Sequence, residues 1–365
     1  MAAKIRWFTA PGQQRAYLAV VGPGGVAAER RVGAPPGTAR YFQLRLQERL
    51  AMEAPDPRLH GAKIGSLLDA ETWSLLVGCG AEVLEPWIAL LTDRLPTLLV
   101  DTPWQPELFH RAAAETIAQQ NSAMWRLARA VRASASGVMS PNVDDDHGWC
   151  PTEPRSQEVE SWAARWFEAG WAVVGAGRSE RPGRESQGAV LRPPADEQGG
   201  NVEVSSPRRA AAALVFEGAS LPDAHLAAAL ESVFLFSGAP RDRWSQRAMA
   251  GVPFPTVTCW TYRDWTAAVL HTACDASTAS KVQLLLRDAL LHAISLGSSM
   301  IGAATVHRLG DLLDHPRDRV QVDARRLYYG APLIGTLRGL IEATLADGRW
   351  QPELEERVAL VTAAV

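Results

Sequence analysis

The stretch AAALVFEGASLPDAHLAAALESVFLFSG, Ala211–Gly238, decides the fold class. AAALVFEG reads as a buried strand, and DAHLAAALES as a helix built from good helix formers. VFLFSG reads as a second strand, closed by the small pair Ser237-Gly238. The alternation continues downstream. RWSQRAMAG predicts a helix, FPTVTCW a strand, and TAAVLHTACDAS and TASKVQLLLRDALLHAIS two further helices. Everything from RRLYYGAPL onward is mostly helical in pattern. Strands separated by helices predict an α/β protein with a mostly parallel central sheet flanked by helices.

Upstream, KIRWFTA, RAYLAVVG and VAAERRVG are separated by Pro-Gly and Gly-Gly punctuation, which predicts an N-terminal β-meander. ARYFQLRLQERLAM has helical spacing, and GAKIGSLLDAETWSLL and EVLEPWIALL continue in helical or short elements. LPTLLV reads as a buried strand before a Pro-marked turn, and AAAETIAQQNSAMWRLARAVR as one helix. Periodicity stops between about Ser134 and Arg155. SQEVESWAARWFEAGWAVVGAG then reads as a helix running into a short strand. Arg178–Arg209, rich in Pro, Gly and Ser, predicts a mobile loop holding one short edge strand. The expected organisation is an N-terminal part over 1–145 and an α/β core over 155–365. One continuous domain is the alternative, and no internal repeat stands out.

Composition narrows the classes. The chain has 365 residues, 47% hydrophobic, enough to bury one large core or two modest ones. A formal net charge of -3 provides no basic field for nucleic acid. No run reaches the roughly 18 apolar residues of a membrane span, and MAAKIRWF has no signal-peptide core, so a soluble cytoplasmic protein is expected. Cys79, Cys150, Cys259 and Cys274 lack paired spacing and read as free thiols. Lysine occurs only at 4, 63 and 281, and that scarcity beside abundant Arg and Ala points to a high-GC bacterial origin.

Few motifs carry chemistry. Ser237 lacks the first glycine of a nucleophile elbow, and a tight turn explains Ser237-Gly238 better. VDDDHGWC places Asp144, Asp145, Asp146 and His147 together, but in neither a calcium-loop nor a zinc spacing, so a solvated acidic loop is expected and no metal. No phosphate-binding glycine loop is present, and no cofactor is implied. TVTCWTYRDW differs. A strand running into Trp260, Thr261, Tyr262, Arg263 and Asp264 combines aromatic faces with a guanidinium fork, chemistry suited to gripping an extended peptide along a sheet edge. An ordinary strand end with surface polar residues is the competing view. Trp162 and Trp166, four apart on a predicted helix, offer a dimer face or core packing.

The order of these pieces resembles the CHAT domain, the caspase-like (clan CD) cysteine peptidase fold related to separases and gingipains. LVDTPWQPELF, VFLFSGAPRDRWSQRAMAGVPFPTVTCWTYRDWTAAVL and RRLYYGAPL are similar to family segments and follow in family order. The resemblance places Gly238 where the family carries its nucleophilic Cys, and Ala219 where it carries its catalytic His. Glycine has no attacking atom and alanine cannot accept a proton, so the resemblance implies a cleft that holds a chain without cutting it.

The expectation is therefore a pseudoenzyme that binds a peptide or protein segment through Trp260, Thr261, Tyr262, Arg263 and Asp264, with Arg241, Arg243 and Trp244 adding contacts. Such a binder would present a precursor peptide to tailoring enzymes in a bacterial ribosomal-peptide natural-product pathway, or serve as an adaptor in signalling or defence. Two other classes stay open. One is a hydrolase built on Cys259 with His271, or on Ser237; the other is a structural homodimer.

Overall fold

The computed structural model describes residues 4–24, 29, 34–35, 37–53, 63–68, 72–99, 104–120, 122–136, 170–178, 208–217, 229–231, 233–234, 242, 244–245, 252–261, 265–347 and 358–364. The chain divides into two compact units, each drawing on both halves of the sequence. Residues 1–119, 148–193 and 314–330 form the first, and 120–147, 194–313 and 331–365 the second.

In the first unit, strands β1 (Lys4–Thr9) and β2 (Arg15–Pro23) precede helix α1 (Thr38–Met52), and β3 (Lys63–Leu68) and β4 (Thr72–Gly80) form a hairpin. A helical run follows: α2 (Leu84–Ala89), a π-helical turn over Leu90–Arg94 and a 3₁₀ segment over Leu95–Leu99. Helix α3 (Pro106–Gln120) comes next in this unit, α4 (Ala123–Ser136) belongs to the second, and β5 (Ala172–Gly177) completes the sheet, whose order is β1-β5-β2-β4-β3. One face carries Leu18, Val20, Leu75 and Val77 against Leu46 and Leu50 of α1, Trp87 of α2 and Phe109 of α3. The π turn makes a further tie, because the Leu91 carbonyl accepts the Trp171 indole N–H at 2.9 Å.

The second unit opens with β6 (Arg208–Glu217), and helical residues at 229–231, 233–234, 242 and 244–245 follow. Next come β7 (Thr256–Thr261), β8 (Trp265–Cys274), α5 (Ala279–Ser295) and α6 (Gly297–Asp314). Helix α7 (Pro316–Tyr329) belongs to the first unit, where its Val320 and Ala324 cover Ala19, Val21, Val174 and Ala176 on the second face of that sheet. Helix α8 (Ile334–Asp347) and β9 (Val358–Ala364) close the second unit, whose sheet order is β7-β8-β6-β9. Leu127 and Val131 of α4 pack on Ala211, Ala213, Ala267 and Val269. The opposite face, with Ala210, Ala212, Leu214 and Leu270, is equally buried, and α5 packs against β6, β8 and β9.

The two sheets share one topology. In each, a strand leads through a helical segment to a hairpin, and then through further helices to a last strand that pairs beside the first. This gives β5-β2-β4-β3 in one unit and β9-β6-β8-β7 in the other. Both hairpins join a six-residue strand to its partner through three residues, 69–71 and 262–264. Both run in the same register, from Lys63↔Gly78 to Leu68↔Trp73 and from Thr256↔His271 to Thr261↔Thr266. The first unit differs by adding β1 parallel to β5.

The protein is α/β, as expected, but several local expectations change. Among the described strands β1 with β5 is the one parallel pair, and all other pairings are antiparallel, so the mostly parallel sheet is not what these strands form. The meander fails because β5 lies between β1 and β2. TAAVLHTACDAS is the strand β8 and not a helix, GAKIGSLLDAETWSLL supplies the hairpin β3–β4, and Leu95–Leu99 is 3₁₀ and not a strand. Val233 and Phe234, placed in a strand by pattern, are helical. The physical cause is burial. Strands covered on both faces show no polar alternation and cannot be told from buried helix by periodicity. Trp7 explains one sequence detail of β5, because its ring lies where a Cβ on Gly175 or Gly177 would stand, so this shelf requires glycine. Among the described residues no single helix is long and apolar enough to cross a membrane; α5 and α6 together are, but they are bent by 95°.

Candidate functional site

β7 is an outer strand. It pairs with β8 on one side, and among the described strands none pairs with the other. Side chains alternate between faces along a strand, so register assigns every residue a side. Thr256, Thr258 and Trp260 share the face that carries Ala267, Val269 and His271 of β8 and Arg209, Ala211 and Ala213 of β6. Val257 and Cys259 point to the other face.

On the first face, polar groups from three strands meet. Arg209 Nη1 lies 2.8 Å from His271 Nδ1, and Thr258 Oγ1 lies 3.1 Å from His271 Nε2. A guanidinium only donates, so Nδ1 accepts, and the ring proton sits on Nε2 and is donated to Thr258. His271 is 2% exposed. Burial, and then the Arg209 charge, push its pKa down to about 4, so the imidazole is neutral at pH 7. His271, assigned to a helix from its pattern, thus serves as a cross-strand tie between β6, β8 and β7.

The second face settles the Cys259–His271 pair. A nucleophile and its base need hydrogen-bond contact. Cys259 and His271 lie on opposite sides of the sheet, and both ring nitrogens of His271 are engaged. The hydrolase built on that pair is not assembled. The Cys259 backbone N–H instead donates to the Glu231 carboxylate, so it points away from β8 and out from the edge. Burial pushes the Glu231 carboxyl above its usual range, and the Arg308 charge and the Cys259 N–H offset part of that rise.

Of the expected peptide contacts, Trp260 is on β7, half-buried, and packs on the cluster of Leu127, Val131, Ala211 and Val269, so one side of the indole belongs to the core. Thr261 ends β7. Trp244 is helical and 4% exposed. That is a correction, because its indole fills the interior and presents no surface to a chain. Tyr262, Arg263, Asp264, Arg241 and Arg243 lie outside the described residues, as do the degenerate positions Ala219 and Gly238, Ser237, and Asp144–His147. Among the described residues no three His, Cys, Asp or Glu side chains stand together to hold a metal. The sequence also contains neither H-E-x-x-H nor the inverted H-x-x-E-H of zinc peptidases. Pattern reasoning missed Arg209, Thr258 and Glu231. The first two would have emerged from a period-2 reading of β6, β7 and β8, whereas nothing local marks Glu231.

No protein-family model matches this chain, and no curated protein does. Solved structures do. The chain is similar to a peptidase M16 inactive domain from Pseudomonas fluorescens, with a TM-score of 0.66, 13% identity, and 99% of this chain and 95% of that one covered. It is similar to a protease from Helicobacter pylori (TM-score 0.67, 10% identity, 100% and 99% covered). It is also similar to a chain of complex III2 from Candida albicans with Inz-5 bound (TM-score 0.65, 10% identity, 99% and 94% covered). At such identities the likeness shows the fold alone, over the full length of the chain.

Proposed function

We propose that this chain is a non-catalytic pseudo-peptidase that binds an extended peptide or protein segment along the outer edge of β7. The observation that carries this reading is the edge strand itself, anchored to the core by Trp260 and leading from Thr261 into Tyr262, Arg263 and Asp264. Backbone pairing along such an edge supplies affinity, and the aromatic and charged side chains beyond it supply selectivity. The whole-chain likeness to a domain named as an inactive peptidase supports holding a chain without cutting it. This support does not depend on the caspase-like resemblance, whose own contribution is the loss of the nucleophile and base at Gly238 and Ala219. Presenting a precursor peptide to tailoring enzymes is one setting for such a binder, and an adaptor role in signalling or defence is another.

A displayed library of random peptides, selected on the full chain, tests the reading. Selected peptides are measured by fluorescence anisotropy on the wild type, on Val257→Pro and on Arg263→Ala. Proline at 257 removes an N–H that points outward, two residues from the Cys259 N–H and on the same edge, and leaves the β7–β8 ladder bonds in place. Affinity is expected to fall at least about tenfold in both variants, with an unchanged far-UV spectrum. Equal binding by all three proteins would sink the proposal.

A further inference from the structure

We propose that Glu231 is a built-in cap on the β7 edge, holding in the free protein a backbone donor that an incoming chain needs. This rests on the docking reading above and concerns its regulation.

An edge strand offers an outward N–H at every second residue. With Cys259 facing out, the outward donors of β7 are Val257, Cys259 and Thr261, and Cys259 is the middle one. Its partner comes from outside the sheet. Glu231 lies among the helical residues that follow β6, and its carboxylate accepts the Cys259 N–H. A carboxylate is a stronger acceptor than a peptide carbonyl, so the cap competes well against a neutral backbone. The opposing charge is Arg308 of α6, whose Nη1 also lies 3.4 Å from Asp311 Oδ2. Arg308 therefore keeps a carboxylate when Glu231 swings away, and opening strands no lone cation. A chain that docks must first displace Glu231, and its apparent affinity is reduced by the fraction of time the edge is closed. The same cap guards against unwanted edge-to-edge pairing.

The test has two readouts on the full chain: amide exchange at Cys259 by mass spectrometry with residue-level fragmentation, and anisotropy of a fluorescein-labelled copy of Thr256–Thr261 carrying serine for the cysteine. In Glu231→Leu, Cys259 is expected to exchange at least about tenfold faster, while Thr258 and Trp260 keep wild-type rates. Glu231→Gln retains an acceptor and stays within about threefold of wild type. The labelled peptide is expected to bind Glu231→Leu at least about tenfold tighter than wild type. If Cys259 exchange is unchanged in Glu231→Leu, or if Thr258 and Trp260 accelerate with it, the cap is overturned, whatever the peptide does. If Cys259 alone accelerates and neither protein binds the peptide or any selected peptide, the cap stands and the docking reading falls.

Discussion

Lowering the pH probes the Arg209–His271–Thr258 tie directly. Folded His271 titrates at about 4, against an ordinary value of 6.5, because it is buried and faces Arg209. As pH falls below 6.5 the unfolded chain takes the proton first, so stability declines from pH 6.5 down to about 4 and is insensitive to this group above 6.5. A depression of this size corresponds to roughly 3 kcal/mol in full, with a slope approaching about 1.4 kcal/mol per pH unit inside the window. At pH 5 about 2 kcal/mol of that is already lost. His271→Gln supplies the control, since glutamine offers an acceptor to Arg209 and a donor to Thr258 but does not titrate. Urea unfolding of both proteins at pH 8 and pH 5 is the assay. Any constant offset between them cancels, and the wild type is expected to lose about 2 kcal/mol more than the variant. Proton NMR of the imidazole gives the titration itself. Arg209→Met is expected to raise the His271 pKa while leaving it below 6.5, since burial is the larger cause. Parallel stability losses in wild type and His271→Gln, or an imidazole titrating near 6.5, would refute the buried, Arg-facing geometry.

Three further outcomes follow from packing and burial. Gly175→Ala is expected to destabilise the first unit by about 1–3 kcal/mol because its methyl enters the Trp7 ring, and most of that cost should vanish in Trp7→Ala; a double-mutant cycle in urea checks it. Trp260→Ala is expected to cost about 2 kcal/mol in unfolding free energy, a loss of core contact that binding experiments on this variant must separate from lost affinity. Burial, with Glu82 nearby, pushes the Cys79 thiol up to about 11, so in native protein at pH 8 iodoacetamide is expected to modify Cys259 and spare Cys79, as read by peptide mass mapping.

Legibility tracked burial. ARYFQLRLQERLAM and the core of TASKVQLLLRDALLHAIS have one covered side and good helix formers, and both are helices. RAYLAVVG, AVVGAG and AAALVFEG were recognisable as strands from their turn punctuation and β-branched content. TAAVLHTACDAS was not, because β8 is central, covered on both faces, and rich in alanine, which favours helix in isolation. The repeated topology stayed hidden for a related reason. The two hairpins share length and register, but Leu67 stands where Trp260 does, and Gly78 where His271 does. In the candidate site, TVTCWT was readable as an edge-like strand, whereas the Arg209–His271–Thr258 tie joins residues up to 62 positions apart and left no local trace.

The amino-acid sequence by itself determined the α/β class, the amphipathic helices, the strands bounded by turns, and the absence of zinc-peptidase motifs, because each depends on short-range pattern and residue chemistry. Only the tertiary structure decided which strands pair and in which direction, that the described strands form two similar sheets, and that Cys259 and His271 face opposite ways. Backbone hydrogen-bonding groups are the same at every residue, so partner and direction are chosen by how distant faces bury one another, and a single step in register moves a side chain to the other side of the sheet.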